Sequence, residues 1–180
     1  QAEAIYKKDP QQAAEHWQHF LMHYLTYSNL TRTRWYPNMV LRIQKARAVA
    51  AFKEGKHDEF AKLLWSAYDT RRGDSAFVIA AFEEVPNAKQ QPGCQRVFEA
   101  VYSYYEDLCK RFPKSASFRN HLAWMSVRCK LRIKDALDYS KQSVELEPKN
   151  SAYLDTLAAI YFELGDIELA IDYQSKALEN

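Results

Sequence analysis

Apolar positions recur every three or four residues along most of the chain, the spacing that lines one face of a helix. Ala13, Trp17, Phe20, Leu21, Tyr24 and Leu25 share one such stripe, and Asp9-Pro10 reads as a helix start. Together they predict a long helix over about residues 10–30. The run Trp35-Tyr36-Pro37-Asn38 predicts a break, because the residue before a proline avoids the helical conformation. A helix over 39–54 follows, then a turn at Gly55-Lys56-His57-Asp58, with Asp58 as a candidate N-cap. The next helix turns Phe60, Leu63, Leu64 and Ala67 inward, and Arg71-Arg72-Gly73-Asp74 closes the hairpin. Residues 75–85 read as a short helix and 86–93 as a polar, breaker-rich irregular segment. Val97, Val101, Tyr104, Tyr105 and Leu108 then mark a helix that ends before Pro113. All four glycines are expected between helices, where glycine ends a helix well. No stretch alternates as a half-buried strand does, so the chain reads as all-α. The pattern gives nine helices, one long opener and four antiparallel hairpins.

The last third repeats itself. Leu122-Ala123 returns 35 residues later as Leu157-Ala158, and Pro113 returns as Pro148. Ala136-Leu137 returns as Ala170-Ile171 one residue early, which puts an extra residue in the inner turn of the first copy. A period of this length, with small residues where two helices must approach, marks a stacked helical repeat. Each unit has too little apolar surface to fold alone, so stability comes from contacts with neighbours.

The last copy, with Leu157, Ala158, Tyr161, Gly165, Ala170 and Ala177, resembles a tetratricopeptide repeat; Leu154 stands where a tryptophan is common. The preceding copy keeps Leu122, Ala123, Ala136 and Pro148 but has Ser126 for the aromatic and Ser143 at the later small position. Upstream the match thins: Gly55, Phe60, Leu64 and Ala67 follow the second half of a repeat, while Arg47 sits where an apolar residue is usual. The resemblance implies an α-solenoid of antiparallel hairpins, a TPR-like superhelix behind a long N-terminal helix. It divides the chain into a packing helix over 1–38, degenerate hairpins over 39–114 and two clear repeats over 115–180, in one continuous solenoid.

The resemblance also implies where a partner would dock. First helices of successive units line the concave side of such an array, which here presents Ser117, Asn120, Trp124 and Val127, then Ala152, Asp155, Ala159 and Phe162. Trp124 is the natural anchor for a peptide unless a neighbouring element covers it. Arg42, Lys45 and Lys53 share a face of an earlier helix; they would favour an acidic or carboxylate-bearing ligand, or else form a solvated face. The Lys and Asn set with which chaperone-binding members clamp a terminal carboxylate is missing. Partner-binding residues are therefore expected at Asn120, Trp124, Asp155, Phe162, Arg42 and Lys45.

Composition narrows the alternatives. A net charge of +2 argues against a nucleic-acid surface as the main function, although Arg128, Lys130, Arg132 and Lys134 cluster at one inner turn. No apolar run is long enough for a membrane span. Cys94, Cys109 and Cys129 lack CxxC spacing and read as buried or partly buried free thiols, with a disulfide plus one leftover thiol, or a metal-binding or reactive role, as the alternatives. His16, His19 and His23 flank the stripe of the first long helix, where two imidazoles could share a metal; surface histidines are the plainer reading. Arg72-Gly73-Asp74 spells an integrin-type triplet that chance supplies in a hairpin turn, and Asn29-Leu30-Thr31 is a glycosylation acceptor that has meaning only in a secreted eukaryotic chain. No phosphate-cradling loop, HExxH or nucleophile elbow occurs. The chain begins at Gln1, so it reads as a processed or excised piece whose compartment, cytoplasmic or exported, stays open. The sequence thus predicts a non-catalytic scaffold for a protein or peptide partner, with no cofactor. A nucleic-acid- or regulator-associated repeat module and a metal-dependent enzyme on the histidine face are the alternatives. The last helix has no polar cap after it and is expected to be solvent-tolerant, continued in a longer parent, or covered by self-association.

Overall fold

The computed structural model describes residues 2–27, 35–70 and 75–180, and every regular element in them is helical. Ten α-helices run in the order α1 (Ala2–Tyr6), α2 (Pro10–Tyr27), α3 (Trp35–Lys53), α4 (His57–Thr70), α5 (Ala76–Glu84), α6 (Pro92–Arg111), α7 (Ala116–Cys129), α8 (Ile133–Leu146), α9 (Ser151–Leu164) and α10 (Ile167–Glu179). A short 3-10 helix, Pro86–Gln90, lies between α5 and α6. Among these residues no helix is long and apolar enough to cross a membrane. Contacts divide the chain into two compact units, Gln1–Val97 and Phe98–Asn180, with the division inside α6.

In the first unit α2 and α3 pack through Ala13, Ala14, Trp17 and Leu21 against Met39, Ile43 and Ala46. The three alanines let the helix axes approach, and the Tyr6 ring of α1 closes on Trp17 at 5.8 Å. The predicted stripe is only half buried: Trp17 and Leu21 face the core, while Phe20 and Tyr24 are 42% and 43% exposed. The hairpin of α3 and α4 turns at Gly55, whose φ of +77° is the left-handed conformation expected there. Phe60 and Leu64 are fully buried behind it.

Four expectations change. The break at Pro37 is absent: α3 starts at Trp35, and Pro37 falls in its first turn, where backbone N–H groups have no helical partner to lose. The helix after Gly55 starts at His57, one residue before the expected cap Asp58. The segment 86–93 is almost wholly helical, and Gly93 lies in the first turn of α6 with Ala61 Cβ 3.0 Å from where its own Cβ would be. A short α1 precedes the long opener, which ends as described at Tyr27. The expected Arg71-Arg72-Gly73-Asp74 closure, the glycosylation triplet at Asn29 and the end of the helix over 28–30 lie outside the described residues.

The second unit realises the repeat. Helices α7 and α9 start 35 residues apart, α8 and α10 34 apart, so the offset seen in the sequence is a longer inner turn. Ser115, Asn150 and Asp166 cap α7, α9 and α10 by accepting from the backbone N–H of Phe118, Ala152 and Leu169. Gly165 ends α9 at φ +85°, and its N–H donates to Phe162 O at 3.1 Å. Nothing lies within 4 Å of a Cβ built there, so Gly165→Ala isolates backbone strain. We expect it to lower unfolding free energy by about 1–2 kcal/mol in a urea titration, without altering the helical spectrum.

Small residues fill the positions the repeat assigns them. Ala123, Ala136, Ala158 and Ala170 are all buried. Where the second copy has Tyr161, the first buries Ser126, whose hydroxyl donates to Leu122 O at 2.9 Å and so is not left unpaired. Leu157, Tyr161 and Ala170 of the last hairpin pack with Leu137 and Val144 of α8. The two hairpins therefore share one interior.

Candidate functional site

The face the sequence pointed to belongs to α7 and α9, which lie side by side in the second unit. Asn120, Trp124 and Val127 occur at i, i+4 and i+7 on α7; Asp155, Ala159 and Phe162 have the same spacing on α9. Val127 and Ala159 meet in one apolar cluster with Ala123 and Ile160, so the two stripes adjoin there. A rigid base beneath the face comes from the caps at Ser115 and Asn150 and from the Lys130 ammonium, which donates to both Glu163 oxygens at 2.8 and 3.1 Å.

Trp124 is half-buried, and its indole meets the edge of His121 at 5.6 Å. His121 in turn stacks on Tyr105 of α6 at 4.3 Å. The tryptophan is thus held in place by an aromatic column and still offers part of its ring. Phe162 is 63% exposed. Asp155 is exposed and has no ion-pair partner among the described residues. Asn120 is half-buried, and its Oδ1 atom has no hydrogen-bond partner among them. A buried acceptor left unpaired costs about 1–3 kcal/mol, an unusual feature in a settled core.

Arg42 and Lys45, the two cations expected to bind a partner, lie in the first unit and are engaged there. Arg42 donates to Glu3 at 3.0 Å, with both side chains more than half exposed. Lys45 donates to Glu84 at 3.1 Å and sits over the Tyr6 ring. Arg47, at a position where repeats are apolar, donates to Gln18 across to α2. His16, His19 and His23 are exposed on α2, and no group of three metal-ligating side chains occurs among the described residues.

A groove elsewhere in the second unit escaped the sequence reading. A groove of about 550 Å³ is lined by Tyr102 and Glu106 of α6, Arg119 of α7, and Arg132, Asp135 and Tyr139 around α8. Its polar groups are largely spent on one another. Arg132 donates to both oxygens of Glu99 at 2.9 and 2.7 Å and lies over the Tyr102 ring, and those hydrogen bonds raise its already high pKa. The Lys110 ammonium holds the Glu106 carboxyl below its usual range, and Tyr139 reaches the same carboxylate at 3.4 Å. Burial pushes up the thiol of Cys109 in the groove floor and that of Cys94, the latter to about 11, so both are protonated at neutral pH and poor nucleophiles. Charge order of this kind joins helices from three different parts of the sequence, and only a known hairpin stacking would have revealed it.

No protein-family model matches the sequence, and no curated protein matches it. Among solved structures the chain is similar to MamA chains. For MamA MSR-1 the identity is 14%, the match covers 98% of this chain and 94% of that one, and the TM-score is 0.42. For MamA AMB-1 the values are 15%, 98%, 90% and 0.43. For MamA from Desulfovibrio magneticus RS-1 they are 13%, 99%, 89% and 0.41.

Proposed function

We propose that the chain is a non-catalytic scaffold that captures an extended peptide of a protein partner on the α7–α9 face. One observation carries the reading: two adjoining stripes on capped, mutually packed helices present aromatic surface at Trp124 and Phe162 beside the unpaired groups of Asn120 and Asp155. The half-held indole is an anchor whose ordering is already complete before binding. Phe162 adds apolar area, and Asp155 favours a ligand with a basic side chain. Asn120 would gain a donor it lacks, such as a peptide N–H, once its amide turns outward. Arg42 and Lys45 belong to the first unit and are no part of this face; each would take a carboxylate ligand only in exchange for Glu3 or Glu84. The protonated thiols and the mutually neutralised groove support a role without chemistry of its own.

Peptides selected from a random displayed library on the 180-residue chain test the proposal. Their affinity should fall about 30-fold in Trp124→Ala, the loss of one hot-spot anchor. Phe162→Ser, at an exposed position where folding is not at stake, should cost about tenfold. Circular dichroism checks that each variant keeps its helices. Selected peptides that bind both variants as tightly as the parent would overturn the assignment.

A further inference from the structure

The exposed surface of α10 carries an apolar stripe beside an acidic flank. Ile167, Ile171 and Leu178 stand at i, i+4 and i+11 on one stripe and are 48%, 63% and 81% exposed. The side of α10 that packs on α9 borders this stripe: Ala170 is buried and Tyr173 stacks on Tyr161 at 5.5 Å. Exposed apolar side chains scattered singly need no explanation, but a stripe of them along one helix marks a docking face.

Charge identifies what fits there. Residues 151–180 carry Asp155, Glu163, Asp166, Glu168, Asp172 and Glu179 against Lys176 alone, a net charge of −5 in a chain whose total is +2. Two of these carboxylates are neutralised, Glu163 by Lys130 and Asp172 by Lys176. Glu168 and Glu179, along one flank of the stripe with Ser175 between them, have no ion-pair partner among the described residues. An antiparallel pairing of α10 with its own copy would set Glu168 opposite Glu179 and bring two hairpins of charge −5 together. That repulsion disfavours a symmetric dimer on this face, and it turns away phosphate-rich surfaces as well.

We propose that the stripe Ile167, Ile171 and Leu178 docks an amphipathic helix of a partner protein, apolar on one side and flanked by Lys or Arg. This surface is separate from the α7–α9 face and does not depend on it. The helix would lay its apolar residues along the stripe and place its basic flank against Glu168 and Glu179.

A fluorescent synthetic helix of about four turns, with leucines at helical spacing and lysines along one flank, is the probe. Titrated with the 180-residue chain, it should bind saturably and more weakly as salt rises. Ile171→Asp should weaken binding about 10- to 100-fold, the loss of one buried aliphatic anchor. Leu178→Asp, at the more exposed position, is the second variant should Ile171→Asp disturb folding. Exchanging Glu168 and Glu179 for lysine should reverse the preference in favour of a glutamate-flanked probe. Phe162→Ser should leave the affinity unchanged, which separates this surface from the α7–α9 face. Equal binding of a scrambled probe of the same composition would overturn the proposal. So would a dimer of the chain alone that Ile171→Asp dissolves, since a second copy would then occupy the stripe.

Discussion

Leu157→Ala should lower the unfolding free energy by about 2–5 kcal/mol, read as an earlier urea midpoint followed by circular dichroism. Leu157 is 1% exposed and packs with Tyr161 and Ala170 of its own hairpin and with Leu137 and Val144 of α8. Truncation there removes its transfer energy and leaves a cavity that neither hairpin can close alone. The matched control is Ile171→Ala, a similar deletion at a site 63% exposed, where the change should stay within about 0.5 kcal/mol. Should the two variants unfold alike, the shared interior of the hairpins would not be what stabilises them.

The second large effect is expected in the other unit. Phe60→Ala removes a fully buried ring that meets Phe52 edge-on at 5.1 Å, and should cost about 3–5 kcal/mol. Three of the four tryptophans, Trp17, Trp35 and Trp65, belong to Gln1–Val97, so tryptophan emission follows this transition. A midpoint that moves by less than one kcal/mol's worth would show that α3 and α4 are not held together by this ring.

Much of this arrangement could be read from the residues. The repeat over 115–180 was legible because both copies put alanine and leucine at the same places, and a helix pair has few ways to bury them. Gly55 and Gly165 marked their turns because a left-handed residue is costly for any other side chain. Breakers misled elsewhere. Pro37 and Gly93 each fall in a first helical turn, where neither a missing N–H nor a missing Cβ stops a helix that packs well. Residues 86–93 looked irregular from their polarity, yet Ala88 and Cys94 are fully buried and draw the segment inward.

The candidate face shows the same division. Spacing alone placed Asn120 with Trp124 and Asp155 with Phe162 on their respective helices. Spacing could not show that Trp124 leans on His121 and Tyr105, because that column joins α6 to α7. Nor could it show that Arg42 and Lys45 answer Glu3 and Glu84, each 39 residues away in sequence. Pairings between distant segments follow from tertiary geometry, which a local period does not encode.

The inner turn between α7 and α8 holds Lys130 and Arg132 at φ +54° and +52°, both left-handed without being glycine. It contains one residue more than its counterpart at Gly165-Asp166, yet the alanines at 123 and 136 stay as buried as those at 158 and 170. A connector that lengthens while the helices keep their seats lets the chain drift out of numerical step without losing its architecture. Such a corner is where evolution, or an engineer grafting a foreign loop, meets least resistance.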